Sequence, residues 1–356
     1  LRQNNMIRLH TSNQYLLNEN EPFGPFRRAD AGVWAWKTWS YEERIDRGWD
    51  GIVFSNWHLK NFHTFGVNFN PDDLGGYDTR ETRGLGPYEN PGGLGYALEY
   101  ESDSRKRWQL QPEIQQTWML NGGRETELSL QARWDVSARF SMSTEFQHTR
   151  ENDIEAWAAN EPVLRRSEGL FAGPSNTPPD ELRADEFDTR LPDRNRMETI
   201  LSGIEPNLGN NRWYVPVFGR RDTREFNLQL RGNFVFRPRL TLQVFNQVFV
   251  ARGRYDRFGI LSDPSSLPDY GAYPKRHDFA LRSYISNVVL RWEYRRGSSL
   301  FLVWTQNRNF DQDNPLVDPS APSPYEKSTG DLLQETFDLF PRNVFLVKFE
   351  YTFLNQ

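Results

Sequence analysis

Apolar and polar residues alternate over long stretches of the chain, and the clearest stretch spans residues 224–250. Successive side chains of a β-strand point to opposite faces, so alternation predicts a strand with one apolar and one polar face. The apolar set of its first half is Phe226, Leu228, Leu230, Gly232, Phe234 and Phe236, and the polar set includes Glu225, Asn227, Gln229, Arg231 and Asn233. Pro238 then interrupts the pattern, because proline cannot donate to a strand ladder. A second alternating run follows at once, which predicts a long hairpin with a tight turn.

The same pattern recurs from one end of the chain to the other. It predicts twelve strands, at residues 6–17, 31–41, 52–69, 94–101, 108–118, 128–134, 138–146, 224–237, 240–250, 279–294, 300–306 and 343–353. Several of them run for about ten to fourteen residues, which is enough to cross a bilayer at a tilt.

Short and long connections alternate between these strands from the second turn onward. The short ones lie near residues 41–50, 102–106, 134–136, 237–239 and 296–298, and the others at 18–30, 71–93, 121–124, 151–221, 252–278 and 309–342. In outer-membrane barrels short turns face the periplasm and long loops face outward. Twelve strands would then place both chain ends on the periplasmic side. We expect residues 151–221 to form a long extracellular loop, acidic over 151–210 with thirteen acidic and six basic residues.

Composition limits the possible functions. With 43 basic and 48 acidic residues the net charge is −5, so no basic excess is available to neutralise the phosphates of a nucleic acid. The chain has no cysteine, which excludes disulfides and thiol chemistry. It contains no apolar run long enough for a transmembrane helix. It begins at Leu1 without a signal peptide, and we expect it to be a processed or partial product.

Alternation alone also fits a soluble β-sandwich. Strand length, the alternation of short and long connections, and aromatic residues near strand ends favour a barrel in lipid. We therefore predict an all-β, antiparallel transmembrane β-barrel of about 12 strands, within a range of 12–16, as one domain over residues 1–356. It would be integral to a Gram-negative outer membrane, with the bilayer and lipopolysaccharide-type lipids as its partners.

Four segments point to a known family. They are DTRETRG at 78–84, DSRK at 103–106, LRWEYRRGSSLFLVW at 290–304 and NVFLVK at 343–348. Together they resemble a poorly characterised outer-membrane barrel family whose members usually begin with a periplasmic carbohydrate-binding-like domain of the family-nine type. The chain departs from that pattern at Arg296, where proline is expected before Gly297, and it lacks the N-terminal domain. The resemblance implies the fold and the membrane, and it supplies no catalytic residues.

Candidate catalytic and metal-binding groups are sparse. The five histidines form no H-E-x-x-H motif, and neither a P-loop nor a G-x-S-x-G motif is present. The only loose hydrolase candidate pairs His148 with Ser141 or Ser143. We therefore predict no enzyme activity, no cofactor and no metal site.

The polar strand faces carry charges of both signs, and we expect them to line a lumen. The predicted lumen residues are Glu127, Arg133, Arg139, Glu145, Glu225, Arg231, Arg291, Glu293, Lys348 and Glu350. Two interpretations stay open: ion pairs fill and cross-link the lumen, or the charges line a conduit for small polar solutes.

The functional prediction follows from the interpretation that the charges line a conduit. We expect a passive conduit, or a docking and scaffold component that binds other envelope proteins. One alternative is an envelope hydrolase or carbohydrate-processing protein, and another is a plugged structural subunit of a larger assembly. The tryptophan-rich residues 33–39 are either lipid-interface anchors or a protein-binding face, and the anchor is favoured.

Overall fold

The computed structural model describes residues 6–17, 23–40, 46–72, 74–78, 80–191, 194–204, 211–312 and 322–353. In this part of the chain the fold is all-β and antiparallel, with two short α-helices. The strands are β1 (Met6–Leu17), β2 (Phe26–Ser40), β3 (Asp46–Leu59), β4 (Thr64–Asp72), β5 (Tyr77–Asp78), β6 (Tyr88–Glu89), β7 (Gly93–Glu101), β8 (Trp108–Met119), β9 (Arg124–Ser137), β10 (Phe140–Arg166), β11 (Gly169–Ala172), β12 (Thr189–Arg190), β13 (Arg212–Arg237), β14 (Leu240–Ile260), β15 (Phe279–Arg295), β16 (Ser298–Gln312) and β17 (Arg342–Glu350). The helices are α1 (Arg194–Ser202) and α2 (Thr329–Asp338).

The main sheet is a meander in which each long strand pairs with the next long strand in the chain. Its order is β1-β2-β3-β4-β7-β8-β9-β10-β13-β14-β15-β16-β17, with β11 and β12 attached beside β10. Among the described residues β1 and β17 do not pair with each other, so the sheet is open there. The predicted all-β antiparallel architecture is confirmed, and closure into a barrel stays a prediction.

Side-chain alternation divides the sheet into two faces. Directly paired residues of antiparallel strands share a face, so the register assigns each residue to one of them. Most of the exposed large apolar residues of the long strands fall on one face, which we call the apolar face. They include Val53, Phe65, Val67, Phe69, Leu98, Trp108, Leu110, Ile114, Trp118, Leu128, Trp134, Met142, Leu230, Phe236, Trp292, Leu302, Phe345, Val347 and Phe349. The opposite side is the polar face.

The two ends of the sheet differ in their connections. We call the end with the connections after β10, β14 and β16 the loop end, and the end with the β9–β10, β13–β14 and β15–β16 turns the turn end. The tight hairpin turn at Pro238 is confirmed, since β13 ends at Arg237 and β14 begins at Leu240.

The prediction of one bent strand over residues 52–69 is wrong. β3 and β4 are separate strands, joined by a turn in which Phe62 has a left-handed φ of 68°. The Arg105 guanidinium carbon lies 3.2 Å from the centroid of the Phe62 ring, so this turn is at the turn end, beside the β7–β8 connection. The turn was missed because Lys60 to His63 contains neither glycine nor proline.

The extra strand changes the predicted topology. The meander now has thirteen strands in order, so β1 and β17 run in the same direction. β1 consequently starts at the loop end and β17 finishes at the turn end. The first and last described strands therefore do not start and finish on one side as predicted, and residues 23–25, which lead into β2, lie at the turn end.

The prediction of a long acidic loop over residues 151–221 is also wrong. β10 continues to Arg166 and β13 begins at Arg212, and the two strands stay paired beyond two bulges, at Glu151/Ile154 and Trp157/Ala159. β11, β12 and α1 lie between them along the chain. The strands reach 27 residues in β10 and 26 in β13, well past the thickness of an apolar bilayer core.

These long strand ends support a compact unit at the loop end, which we call the cap. It consists of β11, β12, α1, the loop-end halves of β10, β13 and β14, and the connection after β14. Its hydrophobic core is built from Val163, Leu170, Ala172, Leu191, Met197, Ile200, Leu201, Trp213, Val215, Val217, Phe258, Ile260 and Tyr270. The cap therefore has a buried core of the kind found in water-soluble domains.

The second helix, α2, packs on the apolar face near the loop end. Leu332 is buried against Val250 and Ala280, and Arg282 forms an ion pair with Glu335. No helix in the described part of the chain is long and apolar enough to span a membrane.

Candidate functional site

The predicted lumen residues lie together on the polar face. Cross-strand pairs join Glu127 to Thr149 and Thr149 to Glu225, and in the same way Arg133 to Ser143 and Ser143 to Arg231. Nine of the ten share this face, and Arg139 lies in the β9–β10 turn.

Two of the central strands order their predicted lumen charges by sign. β9 places Glu127 toward the loop end and Arg133 toward the turn end, and β13 repeats this order with Glu225 and Arg231. β10 does not repeat it, because Glu145 pairs with residues 131 and 229 and so lies next to the row of Arg133 and Arg231. Glu225 and Arg231 are six residues apart on one strand, which corresponds to about 20 Å.

The two zones have matching geometry. In the acidic zone the hydroxyl residue Thr149 lies between two glutamates, and in the basic zone Ser143 lies between two arginines. Because adjacent strands are about 4.8 Å apart, like charges in each zone are separated by about 10 Å. A cavity of about 450 Å³ lies over the basic zone, lined on the polar face by Arg133, Ser141, Ser143, Arg231, Asn233, Gln243, Phe245 and Asn287.

Ion pairs do not cross-link these charges in the described structure. Arg231 donates a hydrogen bond of 3.0 Å to Gln229, and its guanidinium carbon lies 5.0 Å from the Phe245 ring centroid. Arg133 pairs with Asp135 of its own strand, 3.1 Å away. The register explains this, because the direct cross-strand neighbours of both arginines, which are Ser143, Gln109 and Phe245, carry no charge.

The other four predicted residues lie at the turn end of β15 and β17. Arg291 and Lys348 both pair across strands with Phe301 of β16, and Glu293 and Glu350 both pair with Ser299. Lys348 and Glu350 form an ion pair of 2.5 Å along β17. Here a basic row and an acidic row are adjacent, so opposite charges are close enough to form ion pairs.

The acidic zone extends further than the sequence analysis indicated. Glu125 pairs across strands with Glu151, and Glu151 pairs with Thr223. Glu151 accepts hydrogen bonds from Arg221, at 2.6 Å, and from the Thr223 hydroxyl. Glu151 was missed because it was assigned to the predicted loop, although its alternation with Thr149 continues the pattern of β10.

A second polar cluster is buried in the cap. The Lys275 ammonium and the Glu161 carboxylate are 2.5 Å apart, with side chains 4% and 0% exposed. The ammonium also donates to Gly173 O at 2.7 Å and to Ser175 Oγ at 2.9 Å. This satisfies all three of its donors, as a buried charge requires.

The Glu161 carboxylate also receives a 2.9 Å hydrogen bond from Tyr273, whose oxygen lies 2.7 Å from His277 Nε2. Burial and the nearby Lys275 charge lower the pKa of His277 to about 4. Burial and the Glu161 charge raise the pKa of Tyr273 well above its ordinary value. The cluster thus holds one ion pair, a neutral imidazole and a neutral phenol, and it stabilises the cap.

The loose hydrolase candidate is not assembled. His148 belongs to the apolar face, since it pairs with Phe226, whereas Ser143 pairs with Arg231 on the polar face. The His148 imidazole instead lies 2.7 Å from Glu225 O. Within the described ranges, no group of three or more His, Asp or Glu side chains is arranged to hold a metal ion.

The tryptophans of residues 33–39 divide between the faces. Trp34 pairs across strands with Ser12, and Trp36 pairs with His10. Both tryptophans lie on the polar face, as does the neighbouring pair of Gln14 and Gly32. A lipid-interface anchor would need the apolar face, so the prediction is wrong for these two residues.

Comparisons with known proteins show a family and include a distantly similar structure. The model of the family described as "Domain of unknown function (DUF5916)" matches residues 1–174 and 207–354. A NanC porin structure in a rhombohedral crystal form is similar over 83% of this chain and 86% of that chain, with 6% identical residues and a TM-score of 0.20. A score this low carries no argument. Among curated proteins, none matches the chain.

Proposed function

The chain belongs to the DUF5916 family, and from that premise we propose that it is an outer-membrane barrel protein that conducts small polar solutes without covalent chemistry. The proposal rests above all on the apolar face. Large apolar side chains such as Val67, Trp118 and Leu230 are between 42% and 48% exposed there, on strands β4, β8 and β13 of one continuous sheet. Water-soluble monomers rarely expose contiguous apolar patches larger than a few hundred Å². Lipid is the solvent that suits such a face.

The polar face supports the choice of a conduit. Its central strands carry carboxylates, guanidinium groups, amides and hydroxyls, and the cavity over the basic zone leaves space beside Arg133 and Arg231. A conduit needs only a hydrated, charged wall. Catalysis needs a nucleophile and a base within hydrogen-bonding reach of each other, and His148 and Ser143 lie on opposite faces.

Reconstitution into a planar lipid bilayer tests the proposal. We expect stepwise conductance from the wild-type protein. Arg231→Glu changes the wall by two charge units, so the permeability ratio of cations to anions rises by roughly fivefold, the factor that about 1 kcal/mol gives. The matched control is Arg239→Glu, which makes the same charge change in the exposed β13–β14 turn and leaves the ratio close to that of the wild type.

Two results would contradict the proposal. A protein that inserts into the bilayer without conducting would favour the plugged structural subunit. A compact monomer that stays in solution without detergent would favour the soluble sandwich, and the apolar face would then need a protein partner.

A further inference from the structure

A row of arginines interrupts the apolar face near the loop end. Arg150 of β10 pairs directly with Arg224 of β13, and Arg224 pairs directly with Arg252 of β14. All three share the face of Phe226 and Val250, which form the adjacent pair on the turn-end side. Like charges directly opposed across strands destabilise a sheet. The row therefore requires neutralisation from outside the strands.

Tyr325 packs over two members of the row, Arg224 and Arg252, and over Arg254, which lies on the same face of β14. The Tyr325 ring centroid lies 5.3 Å from the Arg224 guanidinium carbon, 5.9 Å from that of Arg252 and 4.8 Å from that of Arg254. Three cations around one ring are a stronger concentration of charge than the ring quadrupole alone can balance.

Carboxylates of the protein neutralise only part of this charge. Arg254 pairs with Asp222 at 2.8 Å, and Arg150 donates to the neutral Asn152 amide oxygen at 3.1 Å. Asp331 and Glu326 act on Arg252 through space. Asp331 is engaged by the backbone N–H of Ser328 at 3.0 Å.

Arg252 is the member of the row with the greatest need for a ligand. It is only 5% exposed, yet among the residues that the structure describes its Nε and Nη1 have no hydrogen-bond partner, and Arg224 Nε has none either. A buried guanidinium with unpaired N–H groups costs free energy unless an acceptor arrives. Arg150, in contrast, is exposed, so the row opens to the outside of the sheet at that end.

We propose that Arg150, Arg224 and Arg252 bind the phosphate group of a membrane lipid. Guanidinium groups donate to phosphate through paired N–H groups, and a phosphate offers enough acceptor oxygens for several of them. Beyond the part of this face that α2 covers, the face continues toward the turn end with Leu228 and with Leu230, which is 42% exposed, and acyl chains would lie there. The lipid source of the phosphate rests on the proposed function, whereas the anion site rests on the arginine row alone.

The test uses the full chain in a neutral detergent and measures bound lipid by native mass spectrometry. The probes are short-chain phosphatidic acid and diacylglycerol with the same acyl chains, which differ only in the phosphate group. We expect the phosphatidic acid to bind and the diacylglycerol not to bind. Inorganic phosphate at the same concentration should not displace the lipid, because it lacks the acyl contacts.

Two variants remove arginines from the row. Arg224→Gln weakens phosphatidic acid binding by at least about tenfold, because it removes a charge-assisted hydrogen bond. Arg150→Gln does the same for an exposed residue, so a folding defect is not expected there. The matched control is Arg239→Gln, which removes one charge at the opposite end of the same hairpin and leaves binding unchanged.

Each contrary outcome is distinguishable. Equal binding of both lipids, or unchanged binding in Arg224→Gln and Arg150→Gln, overturns the phosphate site while conductance still supports the conduit. If inorganic phosphate displaces the lipid, the proposal that the phosphate group belongs to a lipid is wrong, and the arginines form a site for anions. If the protein does not conduct but still binds the lipid in a way that depends on the arginines, only the proposed conduit is wrong.

Discussion

The cap shares strands β10, β13 and β14 with the rest of the main sheet, which we call the body. The cap and the body place apolar residues in opposite environments. On β13, Val215 and Val217 of the cap are 0% exposed, whereas Leu230 and Phe236 further along the strand are 42% and 50% exposed. The cap encloses its apolar residues in protein, and the body presents them outward. A single strand therefore has buried apolar residues in the cap and exposed ones in the body. The bulges of β10 near Glu151 and Trp157 mark the boundary between the two parts.

This difference shows what stabilises the cap and what stabilises the body. The cap buries apolar area against itself, at roughly 25 cal/mol for each Å² removed from water. The body of the sheet leaves that area uncovered, so its stability depends on the surrounding solvent. We expect the two halves to respond separately to mutation, to lipid and to pH.

The largest effect is expected from Glu161→Gln in the cap. The change leaves the Lys275 charge buried without its partner, which costs about 3–5 kcal/mol. Native-state hydrogen exchange should show loss of protection for cap amides such as that of Val163, with the body of the sheet unaffected. The control is Glu145→Gln, on the polar face. Unchanged protection in Glu161→Gln would show that the buried pair does not hold the cap together.

The next effect concerns the apolar face of the body. Leu230→Arg places a charge where we propose lipid, at a cost of about 2–4 kcal/mol near the bilayer midplane. Gln229→Arg is the matched control, because the neighbouring residue points to the polar face. Urea unfolding in lipid vesicles, followed by tryptophan fluorescence, measures the difference. Equal stabilities of the two variants would argue against lipid on the apolar face.

The smallest effect is a pH dependence confined to the cap. The pKa of His277 falls from 6.5 to about 4 on folding, so between these values the unfolded cap binds a proton that the folded cap does not. The stability that the neutral imidazole contributes is complete above the unfolded pKa and is lost as the pH falls toward the folded pKa. Near pH 5.5 the loss is about 1.4 kcal/mol.

Hydrogen exchange of the cap at neutral and mildly acidic pH measures this loss. In His277→Gln the histidine contribution to the pH dependence should disappear. A dependence that persists unchanged in the variant would assign the titration to a group other than His277.

Alternation predicted the strands of the body well. β1 runs over Met6–Leu17 as expected, and the assignment of residues such as Arg133 and Arg231 to one face agrees with the register. The pattern succeeds there because each strand has two different environments on its two faces.

The pattern fails in the cap for the opposite reason. From Ala159 to Val163 every residue of β10 is buried, including Asn160 and Glu161, so apolar and polar residues do not alternate with the faces. The family match likewise omits residues 175–206, which include β12 and α1. Burial on both sides of a strand is a tertiary effect, and the local sequence does not record it.

Charge sorting was invisible to sequence analysis because it depends on register. Glu127 and Glu225 are far apart in the chain, and only the pairing of both residues with Thr149 brings their carboxylates to the same part of one face. The sequence showed both signs of charge on the polar faces, but it did not show their order along the strands.

The order of these charges has an electrical consequence. Two zones of opposite fixed charge, arranged in series along a water-filled path, resemble the junction of a diode. A field that drives cations from the acidic zone and anions from the basic zone toward the boundary accumulates carriers there, and the reversed field depletes them. A conduit built on β9, β10 and β13 would therefore rectify current, so that the direction of travel matters even without a gate.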